Sequence, residues 1–377
     1  MRLPARKFLS NEQEDILELP LDDSYLVTGP PGSGKTVVAL YRAEMLSRVG
    51  ERSMLIVHNN TLRTYLKSSL KELKINPSAV AESFHRWLNR TFIDLYSIQA
   101  PKLGPYTYDW ARIFKIVDTR PPAKGTLPCM IIDEGQDMPK EFYMLTRYMA
   151  KRITVLGDTN QTLHPDQNST IEDISDYGGI DSPVLNLTKN FRNTKQIARL
   201  AARYYTGLET GIAEMPTRSG EPVSIKKYVV REQAVDAICR YFKDRSDSEV
   251  GVFLPNDKLV KSFVARLESK LGRDKVQYYY RAKPSPVNSL DFDKRAVRVM
   301  NYWHAKGLEF DAVFLPEMQA YNGDIASGNT RMLLYVLLSR ARERLYISYV
   351  KDITPLLAEM AGYAEPSVTG TDNFDGV

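Results

Sequence analysis

Tyr25-Leu26-Val27 runs through Thr28 into Gly29-Pro30-Pro31-Gly32-Ser33-Gly34-Lys35-Thr36, and this stretch decides the fold. An apolar run of strand type meets a glycine-rich turn, and a helical pattern follows over 35–49. The turn fits G-x-x-x-x-G-K-[ST] completely. Gly29, Gly32 and Gly34 let backbone N–H groups converge on phosphates, and the start of the helix adds the positive end of its dipole. Lys35 is placed to neutralise the outer phosphates of ATP, and Thr36 to set a hydroxyl on Mg²⁺. A second apolar strand, Met130-Ile131-Ile132, ends in the carboxylates Asp133 and Glu134. With a phosphate loop upstream, Asp133 is expected at Mg²⁺ and Glu134 at the attacking water.

Strand-type and helical patterns alternate around this nucleus, the pattern of parallel α/β sheets. Strands are expected at 54–57, 130–132 and 153–156, with a helix over 61–73. Ser169 to Glu172 fits a capping box opening a short helix. The alternation restarts with strands at 222–229, 250–254, 276–280 and 296–300 and helices over 232–242 and 258–271. Strands at 313–315 and 345–349 bracket a helix over 332–341. The fold class is therefore α/β, two tandem lobes with parallel sheets. The division is lobe one at 1–187, lobe two at 188–364, and a polar, glycine-containing tail at 365–377.

Composition agrees with two globular lobes. Of 377 residues, 43% are hydrophobic and 26% charged, too apolar for a disordered chain. A net charge of +5 is compatible with a phosphate-backbone partner without requiring one. The two cysteines, Cys129 and Cys239, lack ligand spacing, which excludes a disulfide framework and a zinc site, and Cys129 reads as a core thiol. The basic N-terminal segment has no apolar signal region, and no stretch approaches the ~18 apolar residues of a membrane span. A cytoplasmic protein of a reducing compartment is expected, with no membrane partner.

Further segments carry a resemblance. Asp133-Glu134-Gly135-Gln136-Asp137 resembles the D-E-x-Q-D box of the UvrD/Rep-type helicases of superfamily 1, and Gly157-Asp158-Thr159-Asn160-Gln161 is similar to their G-D-x-x-Q segment. Asn190-Phe191-Arg192 resembles N-[YF]-R, Lys306-Gly307-Leu308-Glu309-Phe310 repeats K-G-L-E-F, and Tyr335 to Ala341 matches Y-V-x-x-[ST]-R-A. Gln13 falls where the family's adenine-reading glutamine lies. The motifs follow the family's order from residue 9 to about 349, nearly the whole chain. The resemblance implies two RecA-like P-loop NTPase lobes. It makes Gln161 a γ-phosphate sensor, Phe191 a ring stacked on adenine, Arg192 a γ-phosphate contact, Glu309 a ribose contact and Arg340 a finger from the second lobe. Ser83-Phe84-His85 resembles the T-F-H element that meets nucleic acid, and Asn60 and Thr61 open a helix where the family binds phosphate. Taken alone, His85 also reads as a satisfied core histidine.

The chain departs from the family at two kinds of place. Trp303 stands where a histidine is usual, with His304 one position later; Trp303 can stack on a base or line the lobe core. Thr162 to Asp166 replaces an aromatic and arginine-containing continuation. The family's large insertions reduce to the intervals 88–130 and 281–295, which makes this a minimal motor core. The Tyr278-Tyr279-Tyr280 run reads as a strand end facing a core. The resemblance implies an ATP-hydrolysing translocase or helicase on single-stranded DNA, moving 3′ to 5′; the residues do not separate DNA from RNA. The alternative is an ATPase subunit working with a nuclease or other partner protein in a DNA-processing or anti-phage defence assembly, without unwinding of its own.

Overall fold

The computed structural model describes residues 3–58, 60–105, 107–161, 168–207, 211–280 and 290–363. The tail at 365–377, the segment after Gln161 and most of the 281–295 interval fall outside them. The described residues divide into two compact units, one built from residues up to 188 with 207 and 211–213, the other from 189–206 and from 214 to 363.

The first unit alternates as α1 (Asn11–Glu18), β1 (Tyr25–Thr28), α2 (Lys35–Arg48), β2 (Ser53–Val57), α3 (Asn60–Glu72), β3 (Ala79–Ser83), α4 (Phe84–Tyr96), α5 (Trp110–Thr119), β4 (Cys129–Asp133), α6 (Lys140–Met149), β5 (Ile153–Gly157), α7 (Ile171–Gly178) and β6 (Leu185–Asn186). Among the described residues its sheet has six parallel strands in the order β3-β2-β4-β5-β1-β6. β1, β4 and β5 are buried throughout, as strands covered on both faces must be. Register does the positioning: Thr28 lies opposite Gly157, and Asp133 opposite Leu156. The carboxyl ends of β4, β5 and β1 therefore finish level and side by side, where ligands bind in open α/β sheets. Buried Arg42 locks α2 in place, donating to Thr154 on β5 at 3.2 Å and to the carbonyls of Ile16 at 3.1 Å and Pro20 at 3.0 Å.

The second unit contains α8 (Lys195–Ala202), β7 (Ser224–Tyr228), α9 (Arg231–Asp244), β8 (Val250–Leu254), α10 (Asp257–Leu271), β9 (Val276–Tyr279), β10 (Val297–Asn301), β11 (Phe310–Leu315), α11 (Gly328–Leu338), β12 (Ala341–Val350) and α12 (Pro355–Tyr363). Its parallel sheet runs β7-β12-β11-β8-β10-β9 among the described residues. Val235, Ile238, Phe263, Val252 and Val299 belong to its core, and Tyr278 and Tyr280 pack against it. Both units are RecA-like α/β lobes.

Three local expectations are corrected. The helix expected over 332–341 stops at Leu338, and Ala341 already opens β12, so Arg340 sits in the connection. The capping box lies one residue later than expected: Thr170 accepts from the Asp173 amide, and the Asp173 carboxylate accepts in return. The interval 79–119 carries β3, α4 and α5, for which no elements were expected. Cys129 is a buried free thiol, as its apolar setting implied.

Candidate functional site

The site in the first unit grows from the level ends of β1, β4 and β5. Gly34, at φ +88°, turns the loop into α2, and a Cβ there would fall 2.1 Å from Gln13 Nε2. Gln13 is the hinge of this contact: Ser10 and Gln13 form a capping box on α1, and Gln13 Nε2 donates to the Ser33 carbonyl at 2.8 Å. Both ends of the amide expected to read adenine are thus engaged by protein. Its neighbour Glu12 accepts from the amide and hydroxyl of Thr188 at 3.1 and 2.7 Å.

Lys35 is buried and donates to the loop's own carbonyls, Gly29 at 2.5 Å and Pro30 at 3.2 Å, with Asp158 at 3.9 Å. The Thr36 hydroxyl donates to Asp133 Oδ2 at 2.6 Å. Glu134 follows at φ +56°, a left-handed conformation that costs a non-glycine residue about 1–3 kcal/mol and marks functional turns. Two further buried residues join these groups. Gln136 Nε2 donates to Glu134 Oε2 at 2.7 Å and its Oε1 accepts from the Asp158 amide at 2.9 Å. Asp158 Oδ2 accepts from Gln161 Nε2 at 2.7 Å. Gln136 and Asp158 are missing from the residues singled out in the sequence, although both lie within its quoted segments; a polar residue followed by more polar residues after a strand gives no sign of complete burial.

Three carboxylates, Asp133, Glu134 and Asp158, are buried here around one lysine. Desolvation, reinforced by the Glu134 charge, pushes Asp133 up to about 6 against the pull of Thr36 and Lys35. Asp158 is raised for the same leading reason, with Lys35 and Gln161 opposing it. The pocket is short of positive charge, and a bound cation would supply it. The residues fit magnesium in their donor chemistry: Thr36 and Asp133 offer hard oxygen donors side by side. Within the phosphate loop itself, the buried Ser33 hydroxyl has no hydrogen-bond partner among the described residues.

The second unit gathers its own motif residues. Arg192 Nε donates to Glu309 Oε2 at 2.6 Å, and its Nη1 to the Ser339 carbonyl at 3.4 Å. Burial works to raise Glu309, but Arg192 and Arg342 outweigh it and hold the carboxylate below its ordinary range. Asn193 donates to the carbonyls of Ser339 at 3.2 Å and Ala341 at 2.5 Å. Phe191 is exposed beside them. Arg340, the expected finger, is only 1% exposed, its guanidinium donating to the carbonyls of Val336 at 2.9 Å and Leu308 at 3.4 Å. These two carbonyls belong to its own unit.

The expected nucleic-acid residues separate. Phe84, expected on the strand track, is 3% exposed and packs edge-on against Phe142 and Tyr108 in the first unit's core. Its spacing along α4 with Trp87 and Leu88 is that of a core stripe. His85 is half-buried, its Nδ1 3.2 Å from the Tyr108 hydroxyl. Asn60 is exposed and Thr61 buried in the first turn of α3. Trp303 is 44% exposed in the turn after β10, which removes the core-lining alternative; its neighbour Tyr302 takes the buried place, donating to Met318 Sδ at 2.9 Å. His304 meets Tyr279 edge-on at 4.6 Å between centroids.

Comparison with known proteins adds independent findings. Residues 13–165 match the family model of an AAA domain, and residues 296–348 match that of the UvrD-like helicase C-terminal domain. Among solved structures, the C-terminal domain of a possible DNA helicase from Lactobacillus plantarum WCFS1 is similar at 22% identity over 45% of this chain and 93% of that one, with a TM-score of 0.34. That overlay is too loose to assign anything. A search of curated proteins returned no match. No helix among the described residues is long and apolar enough to cross a membrane.

Burial of Phe84 sets a clear expectation. Phe84→Ala should destabilise the first unit by about 3–5 kcal/mol in chemical denaturation. A variant of unchanged stability would return Phe84 to the surface.

Proposed function

We propose, from the premise that the chain belongs to the UvrD/Rep-type helicase family, that it is an ATP-driven translocase acting on single-stranded DNA. The observation that carries this reading is the buried set of Lys35, Asp133, Glu134 and Gln161, with half-buried Thr36 bonded to Asp133, at the level ends of three neighbouring strands. Gly29, Gly32, Gly34 and Lys35 bind the phosphates, Thr36 and Asp133 hold Mg²⁺, and Gln13, Phe191 and Glu309 contact the nucleoside. Bound Mg²⁺ would neutralise charge developing on the transferred phosphoryl group. Glu134 accepts the proton of the attacking water, and Gln161 registers the terminal phosphate. Arg192 and Arg340 supply positive charge from the second lobe, which makes turnover depend on the state of both lobes.

That assignment requires exchanges of partner. Lys35 must give up the Gly29 and Pro30 carbonyls, and Arg192 must give up Glu309. Each swaps a protein acceptor for a phosphate oxygen, and the Arg192 exchange leaves Glu309 able to accept from the ribose. Arg340 must either leave its carbonyls or act from its buried position by charge alone.

Asn60, Thr61, His85, Trp303 and His304 remain the proposed strand contacts, with exposed Trp303 as the stacking platform. Movement 3′ to 5′ is the family expectation and is proposed here with the rest. Trp303→Ala should weaken affinity for a single-stranded oligonucleotide by about 1–3 kcal/mol while leaving the melting temperature in place. Unchanged affinity would remove Trp303 from the track.

Steady-state ATP hydrolysis with and without single-stranded DNA, with single-stranded RNA and Lys35→Ala as controls, tests the whole reading. Strong stimulation by DNA and loss of turnover in Lys35→Ala are expected. Turnover that ignores the strand would instead favour an ATPase controlled by a partner protein, and turnover that survives Lys35→Ala would sink the site assignment.

A further inference from the structure

The Gln136 side chain is engaged at both ends within the site. It is completely buried in the short turn Gly135–Asp137 that follows Glu134. Its amide uses both ends: Nε2 donates to Glu134 Oε2 at 2.7 Å, and Oε1 accepts from the Asp158 backbone amide at 2.9 Å. Beyond Asp158 the chain of bonds continues, since its carboxylate accepts from Gln161 Nε2 at 2.7 Å and from the Asn160 amide at 3.0 Å. A carboxamide suits this place because one planar group offers a donor to a carboxylate and an acceptor to an N–H. A hydrocarbon would leave both partners buried with those bonds unmade, and a carboxylate would face Glu134 with like charge.

The turn that carries Gln136 is fastened on the backbone as well. The Tyr143 hydroxyl donates to the Gly135 carbonyl at 2.6 Å, and the Ser169 amide to the Gln136 carbonyl at 3.2 Å. Glu134 itself sits at φ +56°. A carboxylate on a disfavoured backbone conformation stays aimed only where its surroundings over-determine it. Gln136 supplies part of that constraint and ties it to the loop that carries Gln161.

We propose that Gln136 is a positioning residue for Glu134: its amide holds the water-activating carboxylate in register with the Asp158–Gln161 turn, so that water activation and phosphate sensing share one hydrogen-bonded bridge. This inference rests on the hydrolysis reading above. A displacement of the base by about 1 Å is enough to cost on the order of 10²-fold in rate, and loss of the bridge removes the bond that holds Glu134 Oε2 in place. Lys35 and Thr36 bond to the Gly29 and Pro30 carbonyls and to Asp133 and not to Gln136, so nucleotide binding should depend on the Gln136 amide less than turnover does.

Gln136→Met removes both bonds at nearly constant length. Turnover with saturating single-stranded DNA, affinity for a fluorescent ATP analogue and melting temperature should be measured on the full chain. The expected result is a kcat lower by about 10²-fold with KM and analogue affinity retained. Gln136→Asn keeps an amide in the turn but is one methylene too short to span both partners; it should show the same split, and it covers the case in which the Met variant does not fold. A purely structural glutamine would lower the melting temperature and leave kcat per folded molecule unchanged, and that result overturns the proposal. A wild-type chain without turnover would overturn the hydrolysis reading and this inference together. A hydrolysing wild type beside an unimpaired Gln136 variant overturns this inference alone.

Discussion

Three carboxylates and one ammonium are held out of water at the carboxyl ends of β4, β5 and β1. Burial of unneutralised charge is among the most expensive things a fold can do, so it persists only where surrounding structure fixes it. Here the parallel register fixes it. Thr28 opposite Gly157 and Asp133 opposite Leu156 bring the three strand ends level, and the turns leaving them have no room to separate the charges. The raised Asp133 and Asp158 carboxyls are the electrostatic signature of that crowding.

The second lobe solves a different problem with the same parts list. Its three motif segments, far apart in sequence, are stitched together by side chains bonding to backbone: Asn193 to Ser339 and Ala341, Arg340 to Val336 and Leu308, Arg192 to Ser339. The Arg192–Glu309 pair is nearly buried, so neither group can lose the other without a replacement.

The phosphate loop, the acidic strand end and the alternation of elements were legible in the sequence because each is a local pattern. Gly34 announces its left-handed turn, and an all-apolar strand such as Met130-Ile131-Ile132 announces its burial. Roles set by packing were not legible. Phe84 looks like a contact residue in a tripeptide and becomes a core ring only through Phe142 and Tyr108, which come from elsewhere in the chain. Arg340 sits in an apolar stretch that reads as continuous helix, while the break at Leu338 depends on β12 pairing with β11. β3 went unseen because Ala79-Val80-Ala81-Glu82-Ser83 is poor in strand-forming side chains and gains its conformation from pairing with β2. Gln136 and Asp158 are invisible as buried groups until the register places them together.

The central claim is that the buried carboxylates form a hydrolytic centre, with Glu134 acting on water and not on nucleotide binding. The most direct measurement compares Glu134→Gln with wild type for ATP turnover and for equilibrium binding of ATP with Mg²⁺. The account predicts intact binding with turnover reduced by about 10²–10⁴-fold. Wild-type turnover in the variant would contradict it.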